Sequence, residues 1–385
     1  MNLIFDKDIN FLIKLIFESN SNEIALENHL ASKLPNSSGF VPFKVLQFSS
    51  IFSIPDFIYF FSLSFFCFLV VLFQFLLGIF FLILYPVGLI FITSKSKNLI
   101  VSSTSYKDLM RDAITQINLS ERDFIYASTL NLIRSVSNFR LACYFFFIIR
   151  FTAYITLHSN QRFVYFLYYK DLLKLYLLSV FIMDNPDTVV ITEDHYQRYA
   201  YLLSNLEFFK FVIVQHGFID NSIEFPFKFG KVDCLLLRDF QFLDSFKNYY
   251  QICSHSLLLR NLKSLFSQID YKAFCFLASS SPFIDLEIKF AQILKSKYKI
   301  MLIVKKHPRH IYSREKLKTL LTFADVEWND DYLFPKTTLF VSHSSFLEFD
   351  YKSVGAHTFK LSNYTNVEKL FDDSRFINAA INIKY

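Results

Sequence analysis

Residues 299–310 read KIMLIVKKHPRH, and the fold turns on how this stretch is read. Ile300 to Val304 is a short unbroken apolar run, the pattern of a strand covered on both faces. It stops in Lys305, Lys306, His307, Pro308, Arg309 and His310, potential cations around a proline that cannot continue a strand. Strands of open α/β sheets end at the edge where ligands bind. The stretch is therefore either an anion site on a parallel sheet or a solvated basic turn.

Strand and helix alternate on both sides of it. Toward the C-terminus come a helix (REKLKTLLTFA), a short strand at VEW, and the strand TLFVSHSS at 338–345. FLEFDYKSVG is a helix stopping at Gly355, and HTFKL is a last strand. Immediately before it, AFCFLASSSP (273–282) is a strand running into a serine-rich loop. FIDLEIKFAQILKSKY (283–298) is an amphipathic helix with Phe283, Leu286, Phe290 and Ile293 on its apolar side. Further back, TVVIT ends in Glu193-Asp194-His195, a helix follows (HYQRYAYLLSNLEFF), and KFVIV (210–214) ends in Gln215-His216-Gly217. VDCLLLRD (232–239) is the next strand, and QFLDSFKNYY reads as the helix after it. Strand, helix, strand at this spacing implies parallel sheets. The chain thus holds two parallel α/β units, over 98–253 and 254–385.

The first 97 residues differ. Residues 1–50 read as a small helical segment, broken at Pro35-Asn36-Ser37-Ser38-Gly39. Phe57 to Ser94 contains no charged residue, with Lys44 before it and Lys95 and Lys97 after it. A spanning helix needs about 20 apolar residues. Residues 51–97 are therefore expected to enter a membrane, preferably as a hairpin turning near Gly78 with both ends on the cytoplasmic side, otherwise as one tilted span. A helix pair buried in a soluble core is the alternative. Lys107 to Leu132 is polar and helical in pattern. Leu141–Leu157 is apolar but contains Arg150, which suits a core or interfacial helix rather than a second span. Arg162–Phe181 reads as amphipathic.

Composition narrows the classes. At 385 residues there is room for two domains. A net charge of +6 with no compact basic stripe argues against nucleic acid as a partner and fits an anionic bilayer or anionic substrates. Five scattered cysteines without a CxxC pair argue against a zinc site and a disulfide framework.

Four strand ends can carry chemistry. Glu193 and Asp194 can act as base or orient a hydroxyl, or simply favour a helix start. His216, beside Gly217, suits proton abstraction from an alcohol, or is a satisfied structural histidine. Lys305, Lys306, His307 and Arg309 can neutralise a leaving diphosphate. Ser344 and Ser345 sit where a helix begins, and Ser345 has capping-box spacing to Glu348; hydroxyls and free N–H groups there make a phosphate cradle. Ser279 and Ser280 can add a further wall.

The order EDH, QHG, a strand ending in KKHP, then SHSS with Glu348 three residues on, resembles a clan of bacterial surface-polysaccharide transferases. The clan includes CDP-glycerol glycerophosphotransferases, polysialyltransferases and capsule Kdo transferases, and the resemblance covers roughly residues 185–362. It implies a GT-B-like α/β fold, two Rossmann-like domains facing a cleft, preceded by the helical region with its membrane-inserted segment. Residues 98–253 would bind acceptor and 254–385 the nucleotide donor. His216 would match the catalytic base, His307 a donor-phosphate contact, and Ser344 and Ser345 the serines near that phosphate. The implied partners are a nucleotide-sugar or CDP- or CMP-activated donor, a glycan or lipid-linked acceptor, and the bacterial inner membrane, with the catalytic domains facing the cytoplasm. No metal or other cofactor is implied. Phe218 after Gly217 departs from the glycerophosphotransferases, and His195 after Asp194 from the polysialyltransferases, so the donor stays open. Two other readings remain: a non-catalytic membrane assembly protein, and a sugar-nucleotide epimerase of the same shape.

Overall fold

The computed structural model describes residues 2–32, 56–84, 98–102, 107–158, 169, 171–194, 197–207, 209–216, 225–261, 266–270, 274–307, 311–330, 333–343, 345 and 347–383. They fall into two units, Met1–Leu258 and Leu259–Tyr385.

The first unit is built on a six-stranded sheet: β1 (Asn98–Val101), β2 (Phe124–Tyr126), β3 (Val189–Glu193), β4 (Lys210–Val214), β5 (Cys234–Leu237) and β6 (His255–Leu257). The order is β2-β1-β3-β4-β5-β6, and every pairing is parallel. Central strands of such a sheet are covered on both faces, so they need no polar side. Phe211, Val212, Ile213 and Val214 are accordingly all buried. Strand β6 lies past residue 253, where the sequence sets the boundary, and its pairing with β5 carries this unit to Leu258.

Strands β1 and β2 are a correction to the sequence reading. The stretch 107–132, read as one polar helix, is a helix α3 (Lys107–Gln116), a 3-10 turn (Glu121–Asp123), strand β2, and the start of α4 (Thr129–Ser135). Leu109, Met110, Ala113 and Ile114 of α3 pack on Ile100, Ile191, Val212, Val214 and Leu236 of the sheet. The chain therefore runs from β1 outward to β2 and returns to the other side of β1 as β3.

The N-terminal helices belong to this unit. In α1 (Asn2–Ser32), buried Ser19 donates its hydroxyl to the carbonyl of Arg198, at 2.8 Å, in α7 (Gln197–Ser204). Helix α2 (Asp56–Leu84) runs unbroken through Gly78, so the hairpin turn expected there is not formed. Gly78 serves close approach instead. A Cβ on it would lie 3.1 Å from Ile148 Cδ1 and 3.1 Å from Phe145 Cα, both in α5 (Asn138–His158). Residues 85–97, with Pro86 and Gly88, lie outside the described residues. One buried polar link fixes the α2–α5 pair: Gln74 donates to Tyr169 O at 2.9 Å and accepts from Tyr144 Oη at 2.7 Å.

Helix α5 is long and apolar enough to cross a membrane by length and composition, and 44 % of its apolar stretch is buried inside the protein. Leu141, Tyr144, Phe147, Ile148, Phe151 and Ile155 form its buried side, and Arg150 is exposed. Helix α6 (Leu172–Asp184), expected as an amphipathic helix, is a central helix buried from Leu172 to Ile182 apart from Lys174.

The second unit has a five-stranded sheet: β7 (Phe274–Ser279), β8 (Met301–Lys306), β9 (Val326–Glu327), β10 (Leu339–Ser342) and β11 (His357–Lys360). Its order is β9-β8-β7-β10-β11, again parallel throughout. On one face lie α8 (Ile284–Tyr298), α9 (Arg314–Phe323), α11 (Val367–Asp372) and α12 (Ser374–Ile383). The other face carries Phe274, Phe276, Ile303 and Phe340 against Tyr351 of α10 (Leu347–Ser353). Gly355 follows α10 at φ +83°, the left-handed conformation that ends a helix.

Candidate functional site

In each sheet the strand order reverses once, between β1 and β3 in the first and between β7 and β10 in the second. Loops leaving the carboxyl ends of the two strands at such a point diverge to opposite faces, which opens a crevice for a ligand.

In the first unit, Glu193 ends β3 and is fully buried, Asp194 follows at 7 % exposure, and Gln215 follows β4 fully buried. Asp194 Oδ1 accepts the backbone N–H of His216 at 2.8 Å, and the Asp194 N–H donates to Val214 O at 3.2 Å. One residue further on, Gln215 Oε1 accepts the N–H of Arg238 at 2.9 Å, at the end of β5. The backbone before and at His216 is therefore braced to both neighbouring strand ends. Among the described residues Gln215 Nε2 is buried without a hydrogen-bond partner, a donor held at this edge. Tyr250 lies buried near Asp194, and burial together with that carboxylate pushes its phenol well up. Glu193, Asp194 and His216 are thus brought to adjacent strand ends; His195 and Gly217 lie outside the described residues.

In the second unit the β7–α8 connection is closed by a side chain from inside the helix. Glu287, in α8 and fully buried, accepts the Ser279 hydroxyl at 2.6 Å and the Ser280 N–H at 2.8 Å. Burial pushes its carboxyl up to about 7, against the lowering effect of these two bonds. Tyr312 bridges the neighbouring strands: its hydroxyl donates to Ser279 O and accepts the His307 N–H, each at 2.9 Å. On the β10 side, His343 stacks face to face on Phe283, with ring centroids 3.3 Å apart, and burial lowers its pKa. Its Nδ1, and the hydroxyl of Ser342, are buried without hydrogen-bond partners among the described residues.

The lysines do not converge on this turn. Lys305 and Lys306 point to opposite faces of the sheet, as neighbours on a strand must. The Lys305 ammonium donates to Asp330 O and lies over the Phe334 ring. Lys306 pairs with Glu327 Oε1 at 2.6 Å, although its backbone is in register with Ser279. Ser345 Oγ accepts the Leu347 N–H at 3.3 Å, an N-cap bond two residues on. The capping box expected with Glu348 is not formed among the described residues: the Glu348 N–H donates to the Ser345 carbonyl and its carboxylate faces Lys360 Nζ at 3.0 Å. Arg309 and Ser344 lie outside the described residues. Among the described residues no group of His, Cys, Asp and Glu is placed to hold a metal ion.

Three residues at these edges carry polar or aromatic groups that the sequence reading did not single out as site residues: Phe283, Glu287 and Tyr312. Glu287 had a signal. With Ile284, Ala291 and Leu294 it forms a stripe at helical spacing, and a carboxylate inside such a stripe demands partners.

Comparison of the chain with protein-family models, with curated proteins and with solved structures finds no match.

Proposed function

We propose that the chain is a membrane-associated transferase of the GT-B type. It would move a sugar or glycerophosphate group from a nucleotide-activated donor to a surface-polysaccharide or lipid-linked acceptor. The observation that carries the reading is the pair of parallel sheets, each with polar side chains gathered at the carboxyl ends of its strands. In this reading His216 takes the proton from the acceptor hydroxyl, with Glu193 and Asp194 beside it. The Ser279–Ser280 turn, His307 and the start of α10 at Ser345 receive the donor phosphates, joined by Arg309 and Ser344. Lys305 and Lys306 act from their internal pairs, as fixed positive charge rather than as direct ligands. The unit Met1–Leu258 takes the acceptor and Leu259–Tyr385 the donor, on the cytoplasmic side of a bacterial inner membrane. No metal is called for.

Calorimetric titration of the full chain with CMP, CDP, UDP and GDP tests this. One nucleotide should bind at micromolar concentration and lose affinity in His307→Ala. Absence of binding by all four would remove the donor and with it the reading.

A second reading is favoured by a specific observation. Glu287 already takes the Ser279 hydroxyl and the Ser280 N–H, and both lysines of the KK pair are engaged within the protein. A non-catalytic assembly protein that keeps the α/β shell would look this way, and it would bind no nucleotide.

A further inference from the structure

Every strongly exposed position of α2 between residues 68 and 83 is apolar. Phe68, Leu69, Leu72, Phe73, Leu76, Ile79, Phe80 and Ile83 are each at least 40 % exposed, and their spacing of three and four places them along one face. The opposite side, at Gln74, Gly78 and Phe81, is buried against the unit. In α5, the helix that Gly78 of α2 approaches, Phe146 and Ile149 are exposed as well. Helix α2 therefore lies along the protein, clamped by the Gln74 hydrogen bonds and by the close approach at Gly78, with its outer face bare.

We infer that this face lies flat in the surface layer of a lipid bilayer, so that α2 is an in-plane anchor and not a spanning helix. Three features favour lipid over a protein partner. The exposed stripe offers no hydrogen-bonding group over about 24 Å of helix, whereas protein interfaces carry a polar rim and about one hydrogen bond per 100–200 Å². Hydrocarbon asks for none. The uncharged run also extends along the chain in both directions, from Phe57 to Ser94. Finally, although Asp56 opens the helix, the charge beyond its apolar run is basic. Arg150 is exposed one residue from Ile149, and Lys95 and Lys97 follow the uncharged run, which suits anionic headgroups. A helix whose Gln74 side is committed to its own domain cannot also be surrounded by lipid. The inference deepens the membrane part of the proposed function and is independent of its transfer chemistry.

The test uses the purified full chain and flotation with vesicles of phosphatidylethanolamine and phosphatidylglycerol. Phe73→Glu with Phe80→Glu should weaken vesicle binding about a hundredfold, since two large apolar side chains leave the lipid. Both face outward, so the thermal transition seen by circular dichroism should stay in place. Unchanged vesicle binding overturns the inference. So does a chain that binds no vesicles but dimerises, with the same two substitutions making it monomeric, because the face then covers a second copy. Depth separates lying from crossing. A fluorophore is placed at Leu69→Cys, Leu76→Cys or Ile83→Cys, in a background of Cys67→Ser, Cys234→Ser and Cys253→Ser. Quenchers in the bilayer should report one common depth, whereas a spanning helix would spread the three labels over about 21 Å. Nucleotide titration reads none of this, so failure here and failure of the transferase reading are told apart.

Discussion

At the edge of the first sheet the braces run from strand to strand. Asp194, after β3, takes the N–H of His216, after β4; Gln215, after β4, takes the N–H of Arg238, after β5. At the edge of the second sheet the brace runs from helix to turn, with Glu287 reaching back from α8 to the hydroxyl and N–H of Ser279 and Ser280. The first arrangement engages backbone and sets where the His216 side chain begins. The second engages the donors that an incoming anion would use. The two edges therefore answer differently to perturbation: the first to loss of a side chain, the second to pH.

The largest expected effect separates them by activity. His216→Ala should lower kcat/KM between one hundred and ten thousand times, the usual range for a general base. Nucleotide affinity should stay as in the wild type. If both fall together, the first edge is not the acceptor side and the contrast fails.

Glu287 gives the next effect. Its carboxyl titrates at about 7 in the folded protein against an ordinary value of 4.5. Below 4.5 it is protonated in both states and folding has its full stability; between 4.5 and 7 the carboxyl ionises in the unfolded chain while the buried one keeps its proton, so stability falls, and the loss levels off once the buried group ionises above 7. The loss should be about 3 kcal/mol between pH 4.5 and pH 8. Trp328, the one tryptophan in the chain, lies in the second unit and reports it by urea titration. Glu287→Gln should flatten the profile. A nucleotide held at Ser279–Ser280 should likewise bind more tightly as pH falls through 7, and that dependence should vanish in the same variant.

These differences also mark what the sequence could tell. Runs such as KFVIV and MLIVKK are strands in any setting, and they emerge at Lys210–Val214 and Met301–Lys306. Strand β1 was hidden because NLIV is only four residues long and follows an apolar run that masks its start. Strand β2, FIY, was hidden by the charged residues before it. With both missed, the reversal of strand order at β1 and β3 was not visible. Glu287 was missed for a different reason. Counted from Phe283, the apolar side of α8 runs through Leu286 and Ile293, but Leu286 is 38 % exposed and the buried side is one position on. That rotation places a carboxylate in the core, where a pattern of apolar residues does not look for one. The lysine pair was legible as charge but not as geometry, since Asp330 and Glu327 lie more than 20 residues away along the chain.

A smaller effect probes the strand-to-strand brace alone. Asp194→Ala removes the acceptor of the His216 N–H, and a lost hydrogen bond of this kind costs about 1–3 kcal/mol. Hydrogen exchange of the segment containing His216 should quicken about tenfold or more, with little change in the second unit. Asp194→Asn keeps an acceptor oxygen and should restore most of the protection. Protection unchanged in Asp194→Ala would mean that Val214 and Leu236 hold the turn without it.

The smallest effect lies in the second edge and concerns its one stacked histidine. Phe283 covers one face of the His343 ring, and burial is what keeps that imidazole below its ordinary pKa. Phe283→Ala opens the face to water, where the charged form is better solvated, so the pKa should rise toward 6.5. Proton NMR of the His343 ring, assigned by its absence in His343→Gln, should show an upward shift of less than about one unit, because the ring is only partly buried at the start. A downward shift would mean that Phe283 stabilises the imidazolium through its ring face, and the ordering force at this edge would then be cation–π attraction rather than desolvation.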